Sequence, residues 1–316
     1  MKQRGFAKIA TLGFPQLSYP VLHGETAVNA MIDHLKFQLD FVLPNRPDLI
    51  LFPEACDRFS THTMAERIDY YRDRGDRIRD MLADIAAAHR CYIGYSAARS
   101  EPDGTWRNTT ELIGRDGSTL AKYNKNHCVT TEISDGGILC GEAPVVCETD
   151  FGKVGFVICF DLNFQELREK YRALHPDLLL FSSMYHGGLM QNFWAYDLNT
   201  YLAASVCGVE AGMVNPVGCD VARSSNYSPY LVTEINLDFE VAHLDFNWNK
   251  LQAARKKYGE EIDIFDGGKT GVVMLSSNHP ERTALDVCRE FEIELWSDYY
   301  RRSLAARAGH TAGNVS

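Results

Sequence analysis

Three residues of this chain stand at the ends of strand-like runs and are of types that do chemistry: Glu54, Lys125 and Cys159. Cys159 closes the run Gly152-Lys153-Val154-Gly155-Phe156-Val157-Ile158, a glycine turn followed by β-branched and apolar residues that reads as a buried strand. Beyond it, Asp161 or Asn163 caps a helix whose first turn carries Gln165 and Glu166. A thiol at such an elbow meets helix-terminal N–H groups and the positive end of the dipole, which favour a thiolate. Glu54 stands just past Asp48-Leu49-Ile50-Leu51-Phe52-Pro53, where partial desolvation suits a carboxylate to work as a base. Lys125 lies in Tyr123-Asn124-Lys125-Asn126-His127-Cys128, just past another strand. Taken singly, each has an ordinary reading. Most of the nine cysteines serve as small buried hydrophobes, a glutamate there caps a helix or pairs at the surface, and a lysine is a solvated charge. Taken together, they offer a nucleophile, a base and a cation that could converge.

The elements that must bring them together follow from hydrophobic periodicity. Residues 7–14 read as a strand, 25–42 as a helix, 48–52 as a strand, 64–89 as one long helix and 91–97 as a strand. Strands at 106–113 and 119–123 are joined by Gly114-Arg115-Asp116-Gly117, a hairpin turn. After the Cys159 strand come a helix at 164–174, a strand at 177–181, a helix at 189–206 and a strand at 209–214. A second hairpin at 230–235 and 239–244 precedes a helix at 247–258. The pattern βαβαβ-hairpin occurs twice, which predicts an α/β sandwich of two similar halves with helices outside. The carboxyl ends of parallel strands line one crevice, where the three residues can converge. The division expected is 1–258 as the main domain and 259–316 as a C-terminal extension that packs on the core or on a partner subunit. Its helix at 284–306 carries Phe291, Leu295, Trp296 and Tyr299, and the residues after 308 are small and polar enough to fray.

Composition narrows the function further. Hydrophobic residues make up 45% of the 316 and charged residues 23%, an ordinary globular balance. A formal net charge of −10 argues against nucleic acid or an anionic membrane as partner. No apolar run is long enough to span a bilayer, and the amino-terminal residues lack a signal-peptide core, so a cytoplasmic location with reduced thiols is expected. Neither Cys-x-x-Cys nor His-Glu-x-x-His occurs, and there is no glycine-rich nucleotide loop. No metal and no cofactor are therefore expected.

The three motifs, in their order along the chain, resemble those of the nitrilase superfamily of carbon–nitrogen hydrolases, whose signature is a Glu–Lys–Cys triad. The matching stretches are Asp48–Glu54, Tyr123–His127 and Gly155–Glu166, with 202–215, holding Glu210 and Asn215, similar to the segment after the family's Cys half. The resemblance implies a four-layer αββα sandwich with two pseudo-symmetric halves. It also implies Cys159 as nucleophile, Glu54 as general base and acid, and Lys125 with the Phe160 N–H stabilising the oxyanion. A second glutamate between the Lys and Cys motifs orients the lysine in such proteins. Glu132 is the better match and Glu142 the alternative, although Cys140-Gly141 stands where the family has Pro-Gly. An aromatic residue and Asp161 after the cysteine resemble the amidase and carbamoylase branches, which implies a small-molecule amide or N-carbamoyl substrate. Acyl transfer from the same thioester, nitrile hydrolysis and a non-catalytic binding subunit are the competing readings. Strand-end loops offer Cys56, Asn163, Tyr185, His186 and Asn192 as substrate contacts, although His186 reads more readily as a structural histidine, and His127 as a brace for the Lys125 loop. By the same resemblance, a homodimer or higher homo-oligomer forms through the helices starting at Gln165 and Leu189.

Overall fold

A computed structural model describes residues 5–18 and 22–310. The chain falls into two compact units, one spanning Ala7–Ile235 and the other running from Asn236 onward together with the chain start up to Phe6. The larger unit opens with β1 (Phe6–Leu12), α1 (Gly24–Leu39), β2 (Leu49–Leu51), α2 (Met64–Arg74), α3 (Arg77–His89), β3 (Tyr92–Ser100), β4 (Trp106–Ile113), β5 (Thr119–Asn124) and the short α4 (Thr130–Ser134). It continues with β6 (Val146–Glu148), β7 (Lys153–Ile158), a 3-10 turn at Cys159–Asn163, α5 (Gln165–Leu174), β8 (Leu178–Ser183), α6 (Leu189–Leu198), β9 (Tyr201–Val206), β10 (Gly212–Val214), β11 (Asp220–Arg223) and β12 (Tyr230–Asn236).

Two six-stranded sheets result, ordered β12-β1-β2-β3-β4-β5 and β11-β10-β9-β8-β7-β6. Each has three parallel central strands, β1-β2-β3 in one and β7-β8-β9 in the other, extended by an antiparallel pair. That repeated plan is the pseudo-symmetry read from the sequence. Strands covered on both faces read as unbroken apolar runs, as Leu49-Ile50-Leu51 and Leu178-Leu179-Leu180-Phe181 do. On the outer face of the first sheet, Ile50, Phe52 and Ile93 pack with Val28, Met31, Ile78 and Leu82 of the helices. Val157, Leu179, Phe181 and Leu202 of the second pack with Leu167, Tyr171 and Trp194. The inner faces meet each other. A Cβ on Gly94 would lie 2.7 Å from Leu51 Cδ1 and 3.7 Å from Leu180 Cδ1 of the opposite sheet, and Ser182 Oγ donates across to Phe52 O (2.8 Å). The layers are thus helix, sheet, sheet, helix.

The smaller unit adds β13 (Phe239–His243), α7 (Trp248–Tyr258), β14 (Ile262–Phe265), β15 (Val272–Ser277), α8 (Ala284–Glu290) and α9 (Trp296–Gly309). Its antiparallel sheet β13-β15-β14 means that β12 and β13 part into different sheets instead of forming the expected hairpin. Pairing of β13 with β15 draws 239–258 into this unit, whereas the sequence reading sets the boundary after 258. The aromatic stripe is divided: Phe291 packs against the unit's core, while Tyr299 stacks on His243 with centroids 4.2 Å apart. The expected helix over 284–306 breaks between α8 and α9, where Glu292 takes a positive φ of 54°. The residues from 311 on, expected to fray, lie outside the described residues.

Two further differences have local causes. The expected helix over 64–89 is two helices, because Gly75 (φ 52°) ends α2 with its N–H on Tyr71 O (3.2 Å). The expected helix over 189–206 stops at Asn199 (φ 50°), and Tyr201–Val206 is a buried central strand. A short, mostly apolar run fits either period, and parallel pairing of β9 with β8 decides it.

The loop after β2 is fixed by a buried charge pair. Arg74 Nη1 donates to Asp57 Oδ2, which also accepts from Tyr95 Oη (2.6 Å), while Arg74 Nη2 reaches Ala98 O (2.5 Å). Both charged side chains are essentially shielded from solvent. Removing one partner strands the other charge, which costs about 3–5 kcal/mol. Arg74→Met is therefore predicted to lower the unfolding free energy, read from urea denaturation, by that margin and to move the midpoint down. An unchanged midpoint would show that the pair does not hold the loop.

Candidate active site

Glu54, Lys125 and Cys159 sit at the carboxyl ends of β2, β5 and β7 and are 3%, 1% and 8% exposed. Lys125 Nζ donates to Glu54 Oε1 (2.8 Å) and to Glu132 Oε2 (2.8 Å). Burial by itself would lower the ammonium's pKa. The carboxylates of Glu54 and Glu132 outweigh it and hold Lys125 above its ordinary value, so it stays charged.

Glu132 lies on α4, where its Oε2 also accepts from Val129 N (2.9 Å) at the helix start. It is the second glutamate beside the lysine; Glu142 lies exposed on a different loop. Asn108 on β4 was not singled out from the sequence. Its Nδ2 donates to Glu54 Oε1 (2.8 Å) and to Glu132 Oε1 (2.7 Å), bridging the two carboxylates, and its own carbonyl accepts from Lys125 N (2.8 Å). The antiparallel pairing of β4 with β5 sets it there; the hairpin is read from the sequence, but not which β4 side chain meets the two carboxylates.

Glu54 is fixed at its other oxygen, Oε2, by the backbone N–H of Met184 just past β8 (2.9 Å). Both sheets therefore contribute to one carboxylate. The Cys159 thiol is pushed up to about 11, by burial first and then by the charge of Glu54, against a lowering from Lys125. The expected thiolate is not its resting form. Cys159 begins a 3-10 turn, not an α-helix, and the two carboxylates around Lys125 leave an excess of negative charge. A φ of 49° at this non-glycine residue turns the chain sharply at the strand end.

Asp161, fully buried, ties the cysteine turn to the lysine loop. Its carboxylate accepts from Tyr123 Oη (2.6 Å), Ile158 N (3.1 Å) and His127 N (2.8 Å). The His127 ring lies between Asp161 Oδ1 (3.0 Å) and Glu166 Oε1 (2.9 Å), stacked 3.6 Å from Phe164. Burial alone would lower the His127 pKa, but these two carboxylates raise it above the ordinary value. His127 thus braces the loop that carries Lys125.

The other candidates divide. Tyr185 comes to Cys159 and Asn163: burial first, then the nearby Cys159, raise its hydroxyl pKa, against a lowering hydrogen bond with Asn163. His186 pairs with Glu210 (Nε2 to Oε1 2.8 Å) and accepts from Gly188 N (3.0 Å), an exposed arrangement next to Tyr185. Phe160, at the first turn position past the nucleophile, is exposed, and its N–H has no earlier turn residue to bond. Cys56 does not face the site; it packs in the outer core beside Phe59, with its thiol pushed well up by burial. Asn192 is also placed apart, bonded to Gly218 O (3.1 Å) and Asp220 Oδ1 (2.9 Å).

A family model described as carbon–nitrogen hydrolase matches residues 20–233. The chain is 26% identical over 266 residues to a chloroplastic omega-amidase of Arabidopsis thaliana, covering 74% of this chain and 70% of that protein. To an omega-amidase of Homo sapiens it is 25% identical over 181 residues, 49% of this chain and 65% of the human one. The chain thus spans about two thirds of the length of these relatives. Among solved structures, an amidase from Nesterenkonia sp. superposes with a TM-score of 0.64 at 18% identity, covering 75% of this chain and 92% of that one, which is a likeness of fold. Among the described residues, no helix is long and apolar enough to cross a membrane.

Two predictions follow from the geometry. Asn108→Ala removes a hydrogen bond from each carboxylate and is expected to lower kcat/KM about ten- to a hundredfold on any amide turned over, the scale of about 1.5–3 kcal/mol for one bond to a charged group. A change within about twofold would reduce Asn108 to a packing residue. Because the thiol titrates near 11, the thiolate fraction of Cys159 should climb about tenfold per pH unit from 7 to 9. Iodoacetamide labelling of the Cys159 peptide, followed by mass spectrometry, should rise in step; labelling that is flat across this range would mean a thiolate at neutral pH.

Proposed function

Since the chain belongs to the carbon–nitrogen hydrolase family, we propose that it hydrolyses an amide or N-carbamoyl bond of a small molecule through a thioester on Cys159. The observation that carries this reading is the convergence of Glu54 and Glu132 on Lys125, with the Glu54 charge felt by a protonated Cys159. Similarity to omega-amidases and the amidase fold supports amide over nitrile chemistry.

In the proposed reaction Cys159 Sγ attacks the carbonyl carbon as its proton passes to Glu54. Transfer within the site leaves the total charge unchanged, whereas losing the proton to solvent would add a third negative charge beside Glu54 and Glu132. That difference explains why the free thiol resists ionisation yet can react. The carbonyl oxygen becomes an oxyanion, which the Lys125 ammonium and the Phe160 N–H stabilise. As the C–N bond breaks, Glu54 hands the proton to the departing nitrogen, and an amine or ammonia leaves. A water molecule then gives a proton to Glu54 and its oxygen to the thioester carbon. The C–S bond breaks, the acid or carbamate departs, and the proton returns from Glu54 to sulfur. Lys125 never needs to donate its proton, in keeping with its raised pKa. Glu132 and Asn108 keep the ammonium and Glu54 in register, a positioning role.

Incubation with a panel of short amides, read by intact-protein mass spectrometry, is predicted to show an acyl adduct that Cys159→Ala abolishes. Lys125→Ala should cut turnover by at least about a hundredfold, the scale of losing an oxyanion donor. Glu54→Gln should slow both formation and release of the adduct. No adduct from any acyl donor on a folded wild-type chain would refute the reading.

A further inference from the structure

Next to Glu54, on the far side of Met184, lies a pair of cations that the proposed reaction does not use. Arg58 follows the loop pinned by Asp57 and Arg74, and its Nη2 approaches Met184 Sδ (3.8 Å). Met184 is also the residue whose N–H holds Glu54. With its amide oxygen turned toward the guanidinium, Gln16 accepts from Arg58 Nε (2.6 Å) and Nη2 (3.0 Å). Gln16, Met184 and Cys207 stand past the carboxyl ends of β1, β8 and β9, so Arg58 lies on the same rim as the triad. The Cys207 thiol is raised by burial, with Arg58 lowering and Glu54 raising it in smaller measure, which sets the two opposite charges about one thiol.

Arg67 on α2 comes close to Arg58. Its pKa is lowered by burial and then by the Arg58 charge, and its Nε is buried with no hydrogen-bond partner among the described residues. Neither arginine pairs with a carboxylate among the described residues, and the undescribed ones include no Asp or Glu. The acids nearest in sequence are committed elsewhere: Asp57 to Arg74, Glu66 to Thr63 and Asp69 to Arg72. Two guanidiniums brought together, one with a desolvated N–H, repel each other unless an anion joins them. Planar forks of N–H donors match a carboxylate in charge and shape.

We propose that Arg58 and Arg67 form an anion subsite at the rim of the Cys159 site, and that the amide substrate carries a carboxylate which they bind. This rests on the amide-hydrolase reading and names its substrate class. The carboxylate lies a few bonds from the scissile carbonyl, since one methionine side chain separates Arg58 from the group that holds Glu54.

Equilibrium binding to the full-length Cys159→Ala protein tests the subsite without requiring turnover. Two pairs of probes differ only in a methyl replaced by a carboxylate: butyramide against succinamate on the acyl side, and N-ethylacetamide against N-acetylglycine on the amine side. By calorimetry the carboxylate member of one pair should bind about tenfold tighter or more, as hydrogen bonds to a charged group allow; that pair tells which side bears the anion. Arg58→Gln and Arg67→Gln, each added to Cys159→Ala, should bring that ratio toward unity, and 0.5 M salt should shrink it. No preference in either pair, or a preference that survives both substitutions, overturns the subsite. The adduct assay with neutral amides judges the hydrolase reading separately.

Discussion

Everything at the site depends on placing one ammonium where water does not reach. A buried charge costs several kcal/mol unless close partners of opposite sign surround it. Lys125 meets that condition only because Glu54 arrives from the loop after β2 and Glu132 from α4, each 2.8 Å away. Neither carboxylate is placed by its own neighbours alone. Asn108 bridges them from β4, and the Met184 N–H fixes Glu54 from the opposite sheet. The two sheets thus share one electrostatic knot, and the face-to-face sandwich is the arrangement that lets strand ends from both reach it.

The same knot sets the state of the thiol. One cation and two carboxylates leave a surplus of negative charge, and burial adds to it, so Cys159 rests protonated. Glu54 is the carboxylate that the sulfur feels, and in the proposed reaction it is the base that such a thiol needs. The cysteine turn needs its own anchorage because its backbone is held in a sparsely populated conformation. Asp161 supplies this with bonds to Ile158 N, Tyr123 Oη and His127 N, so the nucleophile and the lysine loop are tied at one buried carboxylate.

Glu54 and Cys159 were legible as strand-end residues because each follows a short apolar run, which a buried parallel strand writes plainly, whereas Lys125 was placed only by the hairpin strand that precedes it. Asn108 was illegible for the opposite reason. It lies inside a strand with polar neighbours, and its importance comes from side chains far along the chain. Tyr201–Val206 read as helix because a short, mostly apolar run carries no decisive period, and only pairing with β8 makes it a strand. Breaks at Gly75, Asn199 and Glu292 likewise depend on single left-handed residues inside otherwise helical patterns. Cys56 looked like a pocket residue because it follows Glu54 by two, but the loop turns it into the outer core. The dipole argument for a Cys159 thiolate failed because it weighed peptide dipoles without the full charges that the fold brings alongside.

Charge accounting also bears on what such a site admits. An acyl donor approaching Cys159 meets the negative surplus of Glu54 and Glu132, and the chain as a whole carries −10. A neutral amide is indifferent to that field, while an anionic one is repelled unless positive charge lies within reach. Within the same unit, Arg74, Arg79 and Arg168 each have a carboxylate partner. Arg58 and Arg67 do not pair with any among the described residues, and they stand at the rim, where repulsion of an anion would have to be offset. Leaving two guanidiniums unneutralised is unfavourable for the free fold. It becomes favourable once an anion brings the missing charge, so in the proposed subsite the pair that strains the free fold is what would favour a carboxylate-bearing substrate.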